Sequence, residues 1–254
     1  MRPQERRQRI LELLRQRERL SVETLASAFS TSHETIRRDL TALAGEGLVN
    51  KFHGGASLPP SGEWENAFDT RMHEHASEKR AVARAAARLF SPGDSLMIDT
   101  GTTTLAFAQE LARLERLTVI TNSVAIASTV SEAGHRTFMI GGEYHLDAGE
   151  NLGALALEQI RRFNAEHAVL TVGALGVDGA MDYSIEETEV ARTMADQARY
   201  LTVIADGSKL GRRALFPVLP LSRIDRLVVD RPPQGAIGEA LEQARVEVVV
   251  AALG

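Results

Sequence analysis

Two stretches of this 254-residue chain carry residue types at spacings that could do chemistry. The first is Ser32-His33-Glu34-Thr35 followed by Arg37 and Arg38. Ile36, Leu40 and Leu43 recur at helical spacing, so they form a buried face and the two arginines fall off it. A helix of this kind fits the major groove of DNA, whose base edges present a readable pattern of donors and acceptors. Its N-terminal residues, here Ser32, His33, Glu34 and Thr35, would reach those edges. Arg37 and Arg38 have the reach and charge for phosphate or guanine. Behind them lies the β-prone run LVNKFHGG, in which Lys51 and His53 are placed to touch the DNA backbone. The plainer reading of the same residues is a small helical bundle with solvated arginines, since amphipathic helices are common.

The second stretch is Asp99-Thr100-Gly101-Thr102-Thr103-Thr104, between the β run SLMID and a helical pattern. A glycine followed by hydroxyl residues at a helix N-terminus makes an anion cradle, because backbone N–H groups, the helix dipole and the hydroxyls all favour negative charge there. The turn lacks the Lys of a nucleotide-binding P-loop. With nothing bound it is simply a Thr-capped helix. Comparable turns follow other apolar runs: Asn122-Ser123, Gly141-Gly142, Ala174 to Gly179, and Asp206-Gly207-Ser208-Lys209-Leu210-Gly211. In a parallel sheet such turns share one edge. Asp99, Gly101, Thr102, Thr103, Thr104, Asn122, Ser123, Gly142, Asp178, Glu187 and Lys209 would then line one crevice. That set suits a small, hydroxyl-rich anion, with turn amides and Lys209 on a phosphate and Asp or Asn on hydroxyls. Taken singly, Asp178-Gly179 is an ordinary turn and Lys209 a solvated side chain. By type, Asp178, Glu187 and Lys209 are also candidates for acid–base chemistry.

The elements that must position these residues follow from periodicity. Gln4 to Gln16 and Ser21 to Phe29 read as two helices, and a third starts at a Ser32 cap and ends at Gly45 and Gly47. Two helices, a tight turn and a third helix with arginines outside form a helix-turn-helix, and the short strand with its Gly-Gly turn suggests a wing. Residues 58–76 are rich in Pro, Gly, Ser and polar types and read as a linker, with Trp64 and Phe68 tucked onto one domain. A helix is expected from Glu78 to Phe90. Strand-length runs SLMID, LTVIT, RTFMI, HAVLTVG, YLTVIA, RLVVD and VEVVVA follow, with helices over Leu105–Leu114, Val124–Glu132, Ala154–Phe163, Glu186–Ala198 and Ala236–Ala244. Near-continuous Val/Ile/Leu strands alternating with helices argue for a buried, mostly parallel sheet. The expected domains are therefore 1–57, an all-α winged helix-turn-helix, and 77–254, an α/β ligand sensor, joined by the 58–76 linker.

Charge is distributed unevenly. Residues 1–60 carry ten Lys/Arg against seven Asp/Glu, whereas the remainder carries 19 against 27, so only the first part suits a polyanion. The chain has no Cys, which excludes disulfides, thiolate metal sites and a Cys nucleophile. His73 and His75 are two apart and have no third ligand at metal spacing, so no metal site is expected, and no cofactor either. No apolar run approaches the ~20 residues that span a bilayer, and the charged N-terminus is unlike a signal peptide. The expected location is the cytoplasm.

The string TIRRDLTALAGEGLVNKFHGGA resembles the N-terminal signature of the DeoR family of bacterial transcriptional regulators, a winged helix-turn-helix reading S-x-x-T-I-R-R-D-L, then L-x-x-x-G, then a wing ending H-G-G-A. The chain departs from it at Lys51, where the family usually has Arg, so the charge is kept and the bidentate fork is lost. The resemblance extends over nearly the whole chain: Asp99-Thr100-Gly101-Thr102-Thr103, Thr121-Asn122-Ser123 and Ser208-Lys209-Leu210-Gly211 stand in the order of the DeoR-type sensor, with Leu210 where Phe is frequent. With a gap allowed, MDYSIEETEV is similar to the glycerol-3-phosphate repressor branch. The resemblance implies a sensor fold similar to ribose-5-phosphate isomerase that binds phosphorylated sugars or polyols. The isomerase's acidic turn and glycine-rich Lys loop are not reproduced. The expectation is a repressor of a carbohydrate or polyol operon, with double-stranded operator DNA, a phosphorylated effector and further copies of itself as partners. It would have no catalytic residue and no membrane contact. The alternative is a sugar-phosphate isomerase-like enzyme with an accessory DNA-binding module.

Overall fold

The computed structural model describes residues 3–17, 19–45, 49–52, 54–57 and 66–252. The chain divides into two compact units, Met1–Thr70 and Arg71–Gly254.

In the first unit, helices α1 (Pro3–Arg17), α2 (Val22–Ala28) and α3 (His33–Gly45) surround a core of Ile10, Leu14, Leu25, Ile36, Leu40 and Leu43. Ser21 caps α2 by accepting from Thr24 N at 3.0 Å, and Ser32 does the same for Thr35 N at 3.1 Å. The wing is the antiparallel pair β2 (Asn50–Phe52) and β3 (Gly55–Ser57). A strand not foreseen from the sequence, β1 (Arg19–Ser21), joins the other side of β3, so the module carries a three-stranded sheet as well as its helices. The Gly54-Gly55 turn has a steric cause. Gly54 has φ +91°, and a Cβ on Gly55 would lie 2.4 Å from the Leu20 carbonyl oxygen. Gly47 and His53 lie outside the described residues, as does Trp64.

A short helix α4 (Phe68–His73) occupies part of the expected linker and includes Phe68. Helix α5 runs Ala76–Ala87, a little N-terminal of its expected span. The second unit then alternates β4 (Ser95–Ile98), α6 (Thr102–Leu111), β5 (Thr118–Thr121), α7 (Val124–Glu132) and β6 (Arg136–Met139). A hairpin follows, β7 (Glu143–His145) and β8 (Glu150–Leu152), then α8 (Ala154–Ile160) and β9 (Ala165–Leu170). Next come β10 (Ala174–Gly176), β11 (Gly179–Asp182), α9 (Ile185–Asp196), β12 (Ala198–Ala205), β13 (Phe216–Leu219), β14 (Arg226–Val229), α10 (Ala236–Gln243) and β15 (Glu247–Val250).

Seven strands form one sheet in the order β15-β14-β12-β9-β4-β5-β6, and every neighbouring pair is parallel. These are the seven apolar runs read from the sequence. The sheet is buried between two apolar layers, one gathered around Met97, Leu170, Val203 and Met194, the other around Ile98, Phe107, Val169 and Ile204. Alternate residues of one strand thus serve opposite layers. The stretch Ala174–Gly179 was expected to be a loop. It forms the antiparallel pair β10–β11, extended by β13. Strand order reverses between β4 and β9: the chain winds outward from β4 to β6, then returns to β9 and winds the other way. A crevice beyond the C-terminal strand ends at such a point is where open α/β sheets bind ligands.

Candidate effector crevice and nucleic-acid interface

The reversal point is occupied by Asp99. Both of its carboxylate oxygens accept from Thr171 N at 3.1 Å, joining the turns after β4 and β9. A Cβ on Gly101 would lie 2.2 Å from Thr171 Cγ2, so only glycine permits this approach. Burial pushes the Asp99 carboxyl well above the ordinary carboxylate range. The Thr171 N–H opposes that shift, while the charges of Asp182, Glu150 and Glu187 add to it. Glu187 itself stands in the first turn of α9, where its N–H donates to Ser184 Oγ at 3.2 Å.

Helix α6 begins at Thr102, three residues earlier than its apolar pattern suggested, so Thr102, Thr103 and Thr104 form its buried first turn. Thr104 Oγ1 donates to Gly101 O at 3.1 Å and is used within that turn. Ser123 caps α7, accepting from Ile126 N at 3.5 Å. Asn122 is fully buried: its Oδ1 accepts from Thr100 Oγ1 at 3.2 Å, and its Nδ2 donates to Glu150 Oε2 at 3.0 Å and to Asn151 O at 3.2 Å. Burial raises the Glu150 pKa, and hydrogen bonds from Thr100 and Asn122 oppose this. Gly142, with φ +151°, leads into the β7–β8 hairpin that carries Glu150.

On the far side, Lys209 ends a 3-10 turn, Gly207–Lys209, after β12. Asp206 opens that turn by accepting from Ser208 N at 2.9 Å, and Gly207 is stapled by hydrogen bonds to Asp230 and Arg231. Asp178 lies elsewhere. It sits at the exposed β10–β11 turn, 3.6 Å from Arg213 Nη2. Thr171 and Glu150 were missed from the sequence. Each owes its place to a partner distant along the chain, and only the acidic character of Glu150 was a visible signal.

In the first unit, His33, Glu34, Arg37 and Arg38 are exposed on the N-terminal half of α3, and Thr35 is half-buried. Ser32 Oγ serves as the α3 cap. Lys51 Nζ donates to Thr41 Oγ1 at 2.9 Å, and that hydroxyl donates to Arg37 O at 2.7 Å, tying wing to helix. A groove of about 810 Å³ runs between them, lined by Arg37, Arg38, Thr41, Lys51 and Phe52.

Among the described residues, Asp94, Glu166 and His167 bring ligand-type atoms within 4.8 Å of one another. They sit near the N-terminal strand ends, opposite the crevice, where Phe90 and Tyr200 pack on the imidazole. No helix among the described residues is long and apolar enough to cross a membrane.

Two family models match the chain: a DeoR-like helix-turn-helix domain over residues 6–61 and a DeoR C-terminal sensor domain over residues 74–231. The chain is 30% identical over 250 residues to the glycerol-3-phosphate regulon repressor of Escherichia coli, covering 98% of this chain and 99% of that one. It is 30% identical to the transcriptional repressor GlcR of Bacillus subtilis, covering 95% and 93%. Among solved structures it is similar to ribose 5-phosphate isomerase A of Methanocaldococcus jannaschii, at 17% identity and a TM-score of 0.40 over 54% of this chain and 55% of that one.

Proposed function

Because the chain belongs to the DeoR family of DNA-binding transcriptional regulators, we propose that it represses a carbohydrate or polyol operon and is released from its operator by a phosphorylated sugar or polyol. The observation that carries this reading is the polarity of the crevice. Lys209 and the α6 N-terminus suit a phosphate, while the Thr100–Asn122–Glu150 chain suits hydroxyl groups. The Escherichia coli relative is a repressor of a glycerol-3-phosphate regulon, which agrees with a small phosphorylated effector.

In the DNA-binding module, α3 enters the major groove. His33, Glu34 and Thr35 meet base edges, and Arg37, Arg38 and Lys51 hold phosphates. Ser32 orders the helix start through its cap. One such module has a small positive surplus, so operators with two half-sites read by a homo-oligomer suit it better than a monomer. An effector changes operator affinity only if it prefers the weakly binding state. Such couplings are typically about 1–3 kcal/mol.

The sensor works by binding without turnover. The isomerase alternative would need a base at the substrate carbon. Asp178, one candidate, instead faces Arg213 at the surface, and Asp99 is held by Thr171 N. A thermal-shift screen against sugar and polyol phosphates, with product analysis on each, tests both readings. A ligand at 100 times its Kd adds about 2.7 kcal/mol of stability. Stabilisation without product supports the sensor. Steady isomerisation lost on Lys209→Ala would establish the enzyme in its place.

A further inference from the structure

Lys79 lies in α5 among Val82, Ala83 and Ala86, and only 5% of it is exposed. Lysine is almost never buried to this degree without a partner. Its Nζ donates to the Arg71 carbonyl at 2.5 Å. Arg71 belongs to α4 and is the first residue of the second unit. An ammonium has three N–H donors, so the Arg71 bond uses one.

The same helix packs against β12, whose C-terminal end carries Asp206. Asp206 is 1% exposed; one oxygen accepts from Ser208 N, and Oδ2 is buried without a hydrogen-bond partner among the described residues. Burial pushes the Lys79 pKa down, the Asp206 carboxylate opposes that, and the charges of Lys209 and Arg71 reinforce it. A buried ammonium with one of its three donors used, crowded by two other cations, is an arrangement a dianionic phosphate would relieve, in competition with the neighbouring Asp206 carboxylate.

We propose that Lys79 is the residue that couples effector binding to operator release. A phosphate monoester bound against Lys209 draws the Lys79 ammonium away from the Arg71 carbonyl, and the end of α4 loses its bond to α5. The Lys79–phosphate contact exists only in the released state, which gives the effector the preference between states that release requires. This inference rests on the sensor reading above.

The test compares the parent protein with Lys79→Met and Lys79→Arg, using the DNA upstream of its own gene. Operator affinity is measured with and without sn-glycerol 3-phosphate, ribose 5-phosphate and inorganic phosphate. Binding of each compound to DNA-free protein is followed by calorimetry. In the parent, the effective compound should lower operator affinity about fivefold or more. In Lys79→Met it should still bind, more weakly, through Lys209 and the turn amides, and the ratio of operator affinities should fall to within twofold of one. Lys79→Arg should retain part of the response. Should the variants fold poorly, hydrogen exchange on the parent decides: the α4 peptide should exchange faster when the compound is bound. A parent-like ratio in Lys79→Met, or unchanged α4 exchange, overturns the coupling role and leaves the sensor standing. A parent that binds none of the phosphates overturns the sensor reading and this inference with it.

Discussion

Arg6 of α1 holds Asp39 of α3 through an ion pair of 2.5 Å between Nε and Oδ2, with the Asp39 side chain 4% exposed. Arg7 reaches the other carboxylate oxygen at 3.3 Å. The acidic residue of the T-I-R-R-D-L string is thus a structural clamp, while its two arginines face solvent. Removing one partner of a buried pair leaves an uncompensated charge and costs about 3–5 kcal/mol. Asp39→Ala should therefore destabilise the DNA-binding module by about 3 kcal/mol, the lower end because Arg7 is partly exposed. Thermal melting of the isolated substitution in the full chain, with proteolysis mapping which unit opens, checks this. An unchanged melt would mean that α1 is held by its apolar face alone.

Arg37 and Arg38 should behave in the opposite way. Arg38 pairs with Glu34 at 3.5 Å in full solvent, and such surface pairs add little to folding. Arg37→Ala or Arg38→Ala should leave the melt intact and weaken operator binding by about 1–3 kcal/mol each if they read bases, with a shallower salt dependence if they hold phosphates. Gel shifts at several salt concentrations separate the two roles. Binding unaffected by both substitutions would remove α3 from the interface.

Thr103 and Lys209 belong to turns after different strands, β4 and β12. If both hold one phosphate, Lys209→Ala should lose a charge-assisted contact of about 1.5–3 kcal/mol. Thr103→Glu should place a carboxylate where the phosphate belongs. Both variants should bind operator and resist release by the compound found in the screen. A Thr103→Glu protein permanently off DNA would mean that the carboxylate mimics the phosphate, which still places the anion there. Normal release curves for both would eliminate the phosphate pocket.

The Asp99 carboxyl gives a pH signature. Its folded-state pKa is raised above 3.8 by burial, so the native state holds a proton that the unfolded chain has already lost. That contribution is fully present below the unfolded pKa and disappears as pH rises through the folded value. Asp99→Asn keeps an oxygen acceptor for Thr171 N and abolishes the titration. Relative to this variant, the parent should lose stability as pH climbs from the ordinary carboxylate range upward. Parallel stability–pH curves for the two proteins would show that Asp99 ionises normally.

Much of this molecule was legible in its sequence because the signals are local. Helix α7 spans Val124–Glu132 as its periodicity indicated, and the five inner parallel strands fall in apolar runs because the sheet is covered on both faces there, while the edge strands β6 and β15 are partly exposed. The arginines of α3 face outward because Ile36, Leu40 and Leu43 already fix its inner face. The turns with Asp99, Asn122 and Lys209 could be assigned to one edge because parallel strands leave no other arrangement.

What only the tertiary structure decided involves polar groups and very short strands. Three-residue strands such as β1, β7, β8 and β10 contain too few residues to display a period of two, so their pairing depends on neighbours brought from elsewhere. Helix α6 starts at Thr102 although β-branched residues are weak helix formers, because burial of that turn outweighs local propensity. Asn122 meets Glu150 across 28 residues of chain, and Lys79 is buried on a face it shares with valine and alanine. A charged residue in a sequence reads as solvent-facing, and its burial depends on whether distant groups supply partners for it. For Lys79 the hydrogen-bonding group is the Arg71 carbonyl, and the charge of Asp206, far along the chain, favours the ammonium.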